Sequence, residues 1–338
     1  MNFAIKRIAG ALAGAFAAAA LVASFAAPAQ AAPAAVKAAA PQAASPQAAA
    51  SQTGAVAAPL SAEAPDAGIR LTRVTPAYWK VTFANAPLNI VGPKEVRELV
   101  KIVEAIEADQ QVQVVVFDSA IPGSFIAHYD LLTPLEESTG MAPGPTGMHP
   151  VPDIMVRIAR LPIVTISSIR GRATGIGSEL ILATDMRFAS REKAVLSQWE
   201  VGAGLVAGGG PMARLPRLVG RGRALEILVA SDDISGDVAE RYGYVNRALP
   251  DAELDGFVDT MARRIASFER AAIVDTKALV NLASLPPDAE MQPGWDAFIA
   301  SVKRPATQQR LKALVDQGLQ QPGGIEVDLG RATAAYRK

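Results

Sequence analysis

From Ile69 onward the chain alternates short apolar runs with longer stretches in which apolar residues recur every three or four positions. The runs at 69–74, 78–84, 112–117, 163–168, 185–189, 195–197 and 244–247 have the length and Val/Ile/Leu content of strands, with Thr75-Pro76 turning between the first two. Pro93 opens a helical pattern reaching 108, with Val96, Leu99, Val100, Val103 and Ile106 on one face. Further helices are predicted at 154–160, 175–184, 221–230 and 235–242. Beyond Pro250 the periodicity is helical throughout, at 252–268, 272–283 and around 295–314. Strands alternating with helices predict an α/β fold. The helical remainder reads as an appendage, packed on the sheet or on a neighbouring subunit.

Two stretches break the pattern. Residues 140–152 hold four prolines and three glycines, and are expected to be either a mobile cover for a site or a plain surface excursion. Residues 32–67 are almost wholly Ala, Pro, Gln and Ser, with no steady apolar period, so they read as a flexible tether. Ahead of them, Lys6 and Arg7 precede an uncharged run from Ile8 to Phe25, and Ala29-Gln30-Ala31 has the small-x-small form of a signal-peptidase site. The expected organisation is a signal peptide at 1–31, a linker at 32–67, a core at 68–250, a C-terminal helical region at 251–320 and a flexible tail at 321–338. The expected address is the periplasm or the exterior, with no membrane span left after cleavage. An uncleaved anchor is the alternative, and a miscalled start would leave the chain in the cytoplasm.

Composition narrows the chemistry. Lys plus Arg equals Asp plus Glu at 33 each, which argues against a nucleic-acid groove. No cysteine is present, which removes disulfides, a thiolate nucleophile and Cys-based zinc sites. His128 and His149 are the only histidines, so no metal site is expected.

Gly171, Gly175 and Gly177 follow the strand at 163–168 in the spacing G-x-x-x-G-x-G, with Gly202, Gly204 and Gly208 as a looser repeat. A dinucleotide-binding reductase uses such a turn, but it also needs Tyr-x-x-x-Lys, and none of the five tyrosines has a lysine four residues on. The other use of the turn is to deliver the chain into a helix whose first N–H groups lack intrahelical partners and can hold an oxyanion. Ile176 would supply one such N–H, and Glu179 lies three residues on along the same face. The plain reading of this pair is a close-packing turn with a helix-capping acid. Glu200 is a second carboxylate near a glycine loop. Two neighbouring carboxylates split their pKa values, leaving one as acid and one as base.

The run from Leu161 to Ser190, with Gly171, Gly175-Ile-Gly177, Glu179 and Asp185, resembles the signature of the enoyl-CoA hydratase/isomerase (crotonase) superfamily. The likeness extends through Leu196-Ser-Gln-Trp-Glu200, Gly204, Gly208-Gly-Gly, Arg214 to Gly220, and the segment around Ala239, Tyr242 and Val245. Phe125-Ile-Ala127-His-Tyr-Asp130 looks like the family's first oxyanion loop. The resemblance implies a crotonase-like spiral of ββα units with an α-helical C-terminal trimerisation region, and a homotrimer or hexamer. It implies an oxyanion hole made by the N–H groups of Ala127 and Ile176 around the carbonyl of an acyl-CoA, with Glu179 activating water and Glu200 exchanging a proton at the α-carbon. Coenzyme A enters as part of the substrate thioester, and no bound cofactor is implied. Against the family pattern, His128 and Ile176 stand in place of glycines, Trp199 in place of a proline, and Ser124 in place of a lysine. The imidazole of His128 reads equally as a substrate contact or as a packed loop histidine. Gly204 and Gly208 are candidate substrate contacts.

The expected activity is hydration, dehydration or isomerisation of an α,β-unsaturated acyl thioester, as in fatty acid metabolism. The alternatives are an exported, non-catalytic binding protein of the same fold, and an acyl-CoA hydrolase or decarboxylase on the same scaffold.

Overall fold

A computed structural model describes residues 68–336; the signal-peptide and linker expectations lie outside them. Two sheets organise the body. A six-stranded sheet runs in the order β1-β2-β3-β5-β7-β10 and a four-stranded one in the order β4-β6-β8-β9. The strands are β1 (Ile69–Thr75), β2 (Tyr78–Phe83), β3 (Val114–Ser119), β4 (Ser124–Ile126), β5 (Val164–Ile169), β6 (Arg172–Thr174), β7 (Met186–Ser190), β8 (Val195–Ser197), β9 (Ile234–Ser235) and β10 (Arg247–Leu249). Consecutive strands β3 to β8 step between the sheets, and neighbours within each sheet are parallel over this span. Each turn of the chain thus lays one strand in each sheet before a helix carries it back, which is the spiral of ββα units the resemblance implied.

The predicted strands at 69–74, 78–84, 112–117, 163–168, 185–189 and 195–197 all form, within two residues at each end. Their apolar runs fill the core with Val81, Val115, Val116, Phe117 and Ile166. The strand expected at 244–247 forms later, at Arg247–Leu249, because Tyr244 and Val245 close the helix Gly236–Tyr242 through bonds from their N–H groups to Ala239 O. β4, β6 and β9 have only two or three residues each, too short to show a period. The helix Pro93–Ala108 forms as predicted, Pro93 at its first position and Glu95 reaching back to the N–H of Gly92 at 2.9 Å.

Two expectations change. The Pro/Gly-rich stretch is pinned rather than loose: the helix Pro150–Arg160 starts inside it, capped by His149. Asp153 then accepts the N–H of Thr146 at 3.0 Å and its hydroxyl at 2.7 Å. The segment after Gln320, expected to be a loose tail, packs back on the core. Leu329 is fully buried against the cluster of Trp199, Leu205, Leu314 and Leu319, so its short apolar spacing does bury surface. Among the described residues no helix is long and apolar enough to cross a membrane.

Candidate active site

β6 ends at Thr174, and Gly175 turns the chain into the helix Ile176–Ala183. The turn needs a glycine: its φ is +52°, a region most side chains avoid. The helix also needs one. A Cβ at Gly177 would lie 2.4 Å from Ile126 O, so only glycine lets the helix start dock on the end of β4. Ile176 is the first residue of the helix, so its N–H has no intrahelical partner. It makes no other hydrogen bond to the described residues.

Glu179 and Glu200 line one small cavity, together with His128, Tyr129, Leu131, Val151, Gly175, Ile176, Trp199, Leu205, Gly208, Trp295 and Phe298. Both carboxylates are buried, 4% and 8% exposed. Burial pushes both pKa values up from the ordinary carboxylate range, and their surroundings then separate them. Glu179 receives the N–H groups of Gly209, at 2.8 Å, and Gly208, which favour its charged form. Glu200 has only its own backbone N–H to favour its charged form, and the charge of Glu179 raises it further. Its Oε2 is buried without a hydrogen-bond partner. The cavity encloses about 40 Å³, room for about one water. The helix Asp288–Val302 closes it with Trp295 and Phe298.

The first expected oxyanion donor needs correction. Ala127 donates its N–H to Leu88 O at 3.3 Å and does not line the cavity. The Asn89 side chain, with φ +53°, holds the 85–89 turn against this strand through Phe125 O at 2.9 Å, and so brings Leu88 O within reach. The free amide in the loop belongs to Tyr129. His128 O accepts from Val91 N–H at 3.0 Å, and in a planar trans peptide the next N–H points the opposite way. Tyr129 N–H is therefore turned from Val91, has no partner among the described residues, and belongs to a residue of the cavity wall. Only the hydrogen-bond direction separates it from Ala127, and the sequence does not carry that.

The other candidates divide. Gly208 lines the cavity, but Gly204 does not. It turns at φ +84° with its carbonyl accepting the Thr307 hydroxyl at 2.8 Å, so it is a packing turn. His128 borders the cavity with both ring nitrogens engaged, Nδ1 with Tyr129 O at 2.7 Å and Nε2 with Glu326 at 3.1 Å, so it is a packed histidine. Glu326 comes from the C-terminal segment that was expected to be loose, and sequence reasoning missed it, as it missed the cavity roles of Trp295 and Phe298. Ser124 sits buried with its hydroxyl on Leu88 O. Asp130 anchors the loop, accepting from Leu132 N–H and the Thr133 hydroxyl. Among the described residues no three His, Asp or Glu side chains converge on a possible metal position. A larger groove of about 760 Å³ runs beneath the helix Arg270–Ser284. None of the expected site residues lines it.

Comparison with known proteins points to one family. The family model described as enoyl-CoA hydratase/isomerase matches residues 76–293. The short-chain-enoyl-CoA hydratase of Clostridium acetobutylicum is 31% identical over 205 residues, covering 60% of this chain and 77% of that protein. The mouse mitochondrial enoyl-CoA hydratase domain-containing protein 2 is 36% identical over 165 residues, 49% of this chain; the chain spans only 55% of that relative's length. Among solved structures, a Streptomyces avermitilis protein regarded as an enoyl-CoA hydratase superposes with a TM-score of 0.76 at 43% identity, covering 80% of this chain and 98% of that one.

Proposed function

The chain belongs to the enoyl-CoA hydratase/isomerase family, and from that premise we propose that it adds water across, or removes it from, the α,β double bond of a short acyl thioester, with coenzyme A as the carrier. The observation that carries this reading is the asymmetry of the two glutamates. Glu179 accepts the N–H of Gly209 at 2.8 Å, a donor that suits the charged form that takes a proton from water, whereas Glu200 Oε2 is buried without a partner, which suits the protonated form that supplies Cα. In hydration the water oxygen bonds Cβ, its proton passes to Glu179, and the π electrons move toward the thioester oxygen. That oxygen, facing the N–H groups of Ile176 and Tyr129, carries the enolate charge until Glu200 protonates Cα. A simple double-bond shift needs one mobile proton and no water, so a paired acid and base favours hydration.

Glu200→Gln tests it. The variant should fold, and should lose crotonyl-CoA hydration, followed by the fading of the conjugated thioester absorbance, by about 10²–10⁴-fold. Wild-type rates in Glu200→Gln would end the assignment.

The helix Arg270–Ser284 has no buried residue and exposes Leu279, Val280 and Leu282, the last at 84%. We take this apolar face as support for self-association, as a homotrimer or hexamer; a monomeric mass in solution would refute it. The N-terminal 31 residues are proposed to export the chain, which the mass of the mature N-terminus tests.

A further inference from the structure

We propose that the indole N–H of Trp199 is a side-chain donor in the oxyanion hole, acting on the same substrate oxygen as the N–H of Ile176. This rests on the thioester reading above and extends it to a residue outside the backbone of the hole.

Trp199 is 2% exposed, and its Nε1 is a buried donor without a partner. A buried, unpaired N–H costs about 1–3 kcal/mol, so its persistence in a cavity wall points to a partner that arrives with the substrate. Its position is specific. A Cβ built on Gly175 would lie 3.1 Å from Trp199 Nε1 and 3.1 Å from Glu200 Oε1. With ψ at −124° that point is nearly eclipsed with the backbone nitrogen of the next residue, Ile176, and lies about 2.7 Å from it. The space kept open by the missing side chain of Gly175 is thus bordered by an amide donor, an indole donor and the proton-exchanging carboxylate. An oxygen held there meets both donors, and the carbon next to its carbonyl faces Glu200.

The indole is held on both sides. One face meets the His128 ring edge-on, with centroids 5.4 Å apart, and His128 is fixed by Glu326 at 3.1 Å. Leu205, Leu314, Leu319 and Leu329 form the rest of its apolar packing. The C-terminal segment therefore orients a donor beside the reacting carbonyl. A donor that needs no reorganisation when charge develops is where stabilisation of the transition state is largest.

The test uses acetoacetyl-CoA and the N-acetylcysteamine thioester of acetoacetate, whose enolates absorb in the near ultraviolet. Binding in a hole that stabilises the oxyanion lowers the pH at which the C2 proton leaves and its electron pair settles on the oxygens. Trp199→Phe removes Nε1 and leaves an aromatic ring to pack beside His128. It should bind both thioesters within about threefold, raise the apparent enolisation pKa by about 1–2 units, and lower kcat for hydration by about a hundredfold with KM little changed. A second reading needs no variant. The protein has three tryptophans, Trp79, Trp199 and Trp295, so three indole N–H signals, and Trp79 Nε1 is bonded to Pro76 O. The Trp199 signal should move downfield when the thioester binds the wild-type protein, while that of Trp79 stays. Thioester binding with an unmoved Trp199 signal, or with unchanged enolisation in Trp199→Phe, overturns the role of the indole and leaves the hydratase reading intact. Binding of neither thioester by the wild type overturns both.

Discussion

Glu179 receives the N–H of Gly209 at 2.8 Å, while a Cβ at residue 209 would stand 2.4 Å from the other carboxylate oxygen. The glycine holds the acid by its amide and makes room for it by lacking a side chain. Gly209 has no positive φ, so its replacement strains no backbone and acts through Glu179 alone. Gly209→Ala should push the carboxylate aside by a fraction of an ångström, enough to cost about tenfold to a hundredfold in kcat/KM. The melting temperature should change by only a few degrees. Steady-state kinetics beside a thermal melt checks this, and an unaltered kcat/KM would mean that the placement of Glu179 is unimportant.

Burial makes the two glutamates a pH-dependent cost to stability. Each has its folded pKa raised above the ordinary 4.5. Below 4.5 both folded and unfolded chains hold the proton, and the groups cost nothing. As pH rises the unfolded chain ionises first, so stability falls until the folded groups ionise in the neutral range. Glu200→Gln cannot ionise. It should therefore be more stable than wild type at pH 8, with the gain vanishing toward pH 4.5, measured by urea unfolding across that range. A constant difference between the two proteins would contradict the raised pKa. Hydration itself should fall on both sides of neutrality, where both carboxylates hold a proton or neither does.

His128 and Glu326 form a pair nearly 200 residues apart in sequence and fully enclosed, at 3.1 Å. Desolvation raises the Glu326 carboxyl, but the hydrogen bond and charge of His128, with the amide of Gln320, outweigh it and hold the group below its usual value. Glu326→Ala leaves His128 Nε2 without its partner and should cost about 3 kcal/mol. Glu326→Gln keeps an acceptor for Gln320 N–H and His128, and should cost markedly less. Denaturant titration of both variants decides it; equal losses would show that the segment is held by Leu329 and its apolar neighbours instead.

Much of this architecture is legible in the chain because it follows from period. The buried strands read as apolar runs and the helix 93–108 as a face of Val96, Leu99 and Val103. The glycine turn before Ile176 and the pair Glu179 and Glu200 were found from spacing and resemblance, and the structure places both acids in one cavity. What escaped depends on direction and on distance along the chain. Ala127 and Tyr129 differ only in whether the N–H is already taken, by Leu88 O in the first and by no described residue in the second. That is fixed by Leu88 O and Val91, which sit on a separate turn. Glu326, Trp295 and Phe298 come from segments distant from the motif, and no local pattern marks an acid or an aromatic residue as part of a wall built elsewhere. Gly204 and Gly208 look alike in sequence, yet Thr307 claims one while the cavity takes the other.

The size of the cavity sets a last expectation. About 40 Å³ is too little for an acyl chain, so the substrate must displace part of the wall. Glu179, Glu200 and the helix start at Ile176 are fixed by backbone and core. The helix Asp288–Val302 is expected to yield, since Phe298 is half-buried and meets the Trp295 ring at 5.3 Å between centroids. Trp295 in turn stacks on His149 at 3.9 Å, which makes it the stiffer of the two. Phe298→Ala should open the cavity beside Gly208, against which Phe298 packs. It should raise the kcat/KM ratio of an eight-carbon to a four-carbon enoyl thioester by about tenfold, the contribution of one further accommodated methylene at about 1 kcal/mol or a little more. The truncation should lower stability by about 2 kcal/mol, less than for a fully buried phenylalanine. A series of thioesters of increasing length, assayed on both proteins, reads the ratio directly. If it does not move, the acyl chain leaves the glutamates by another route than past Phe298.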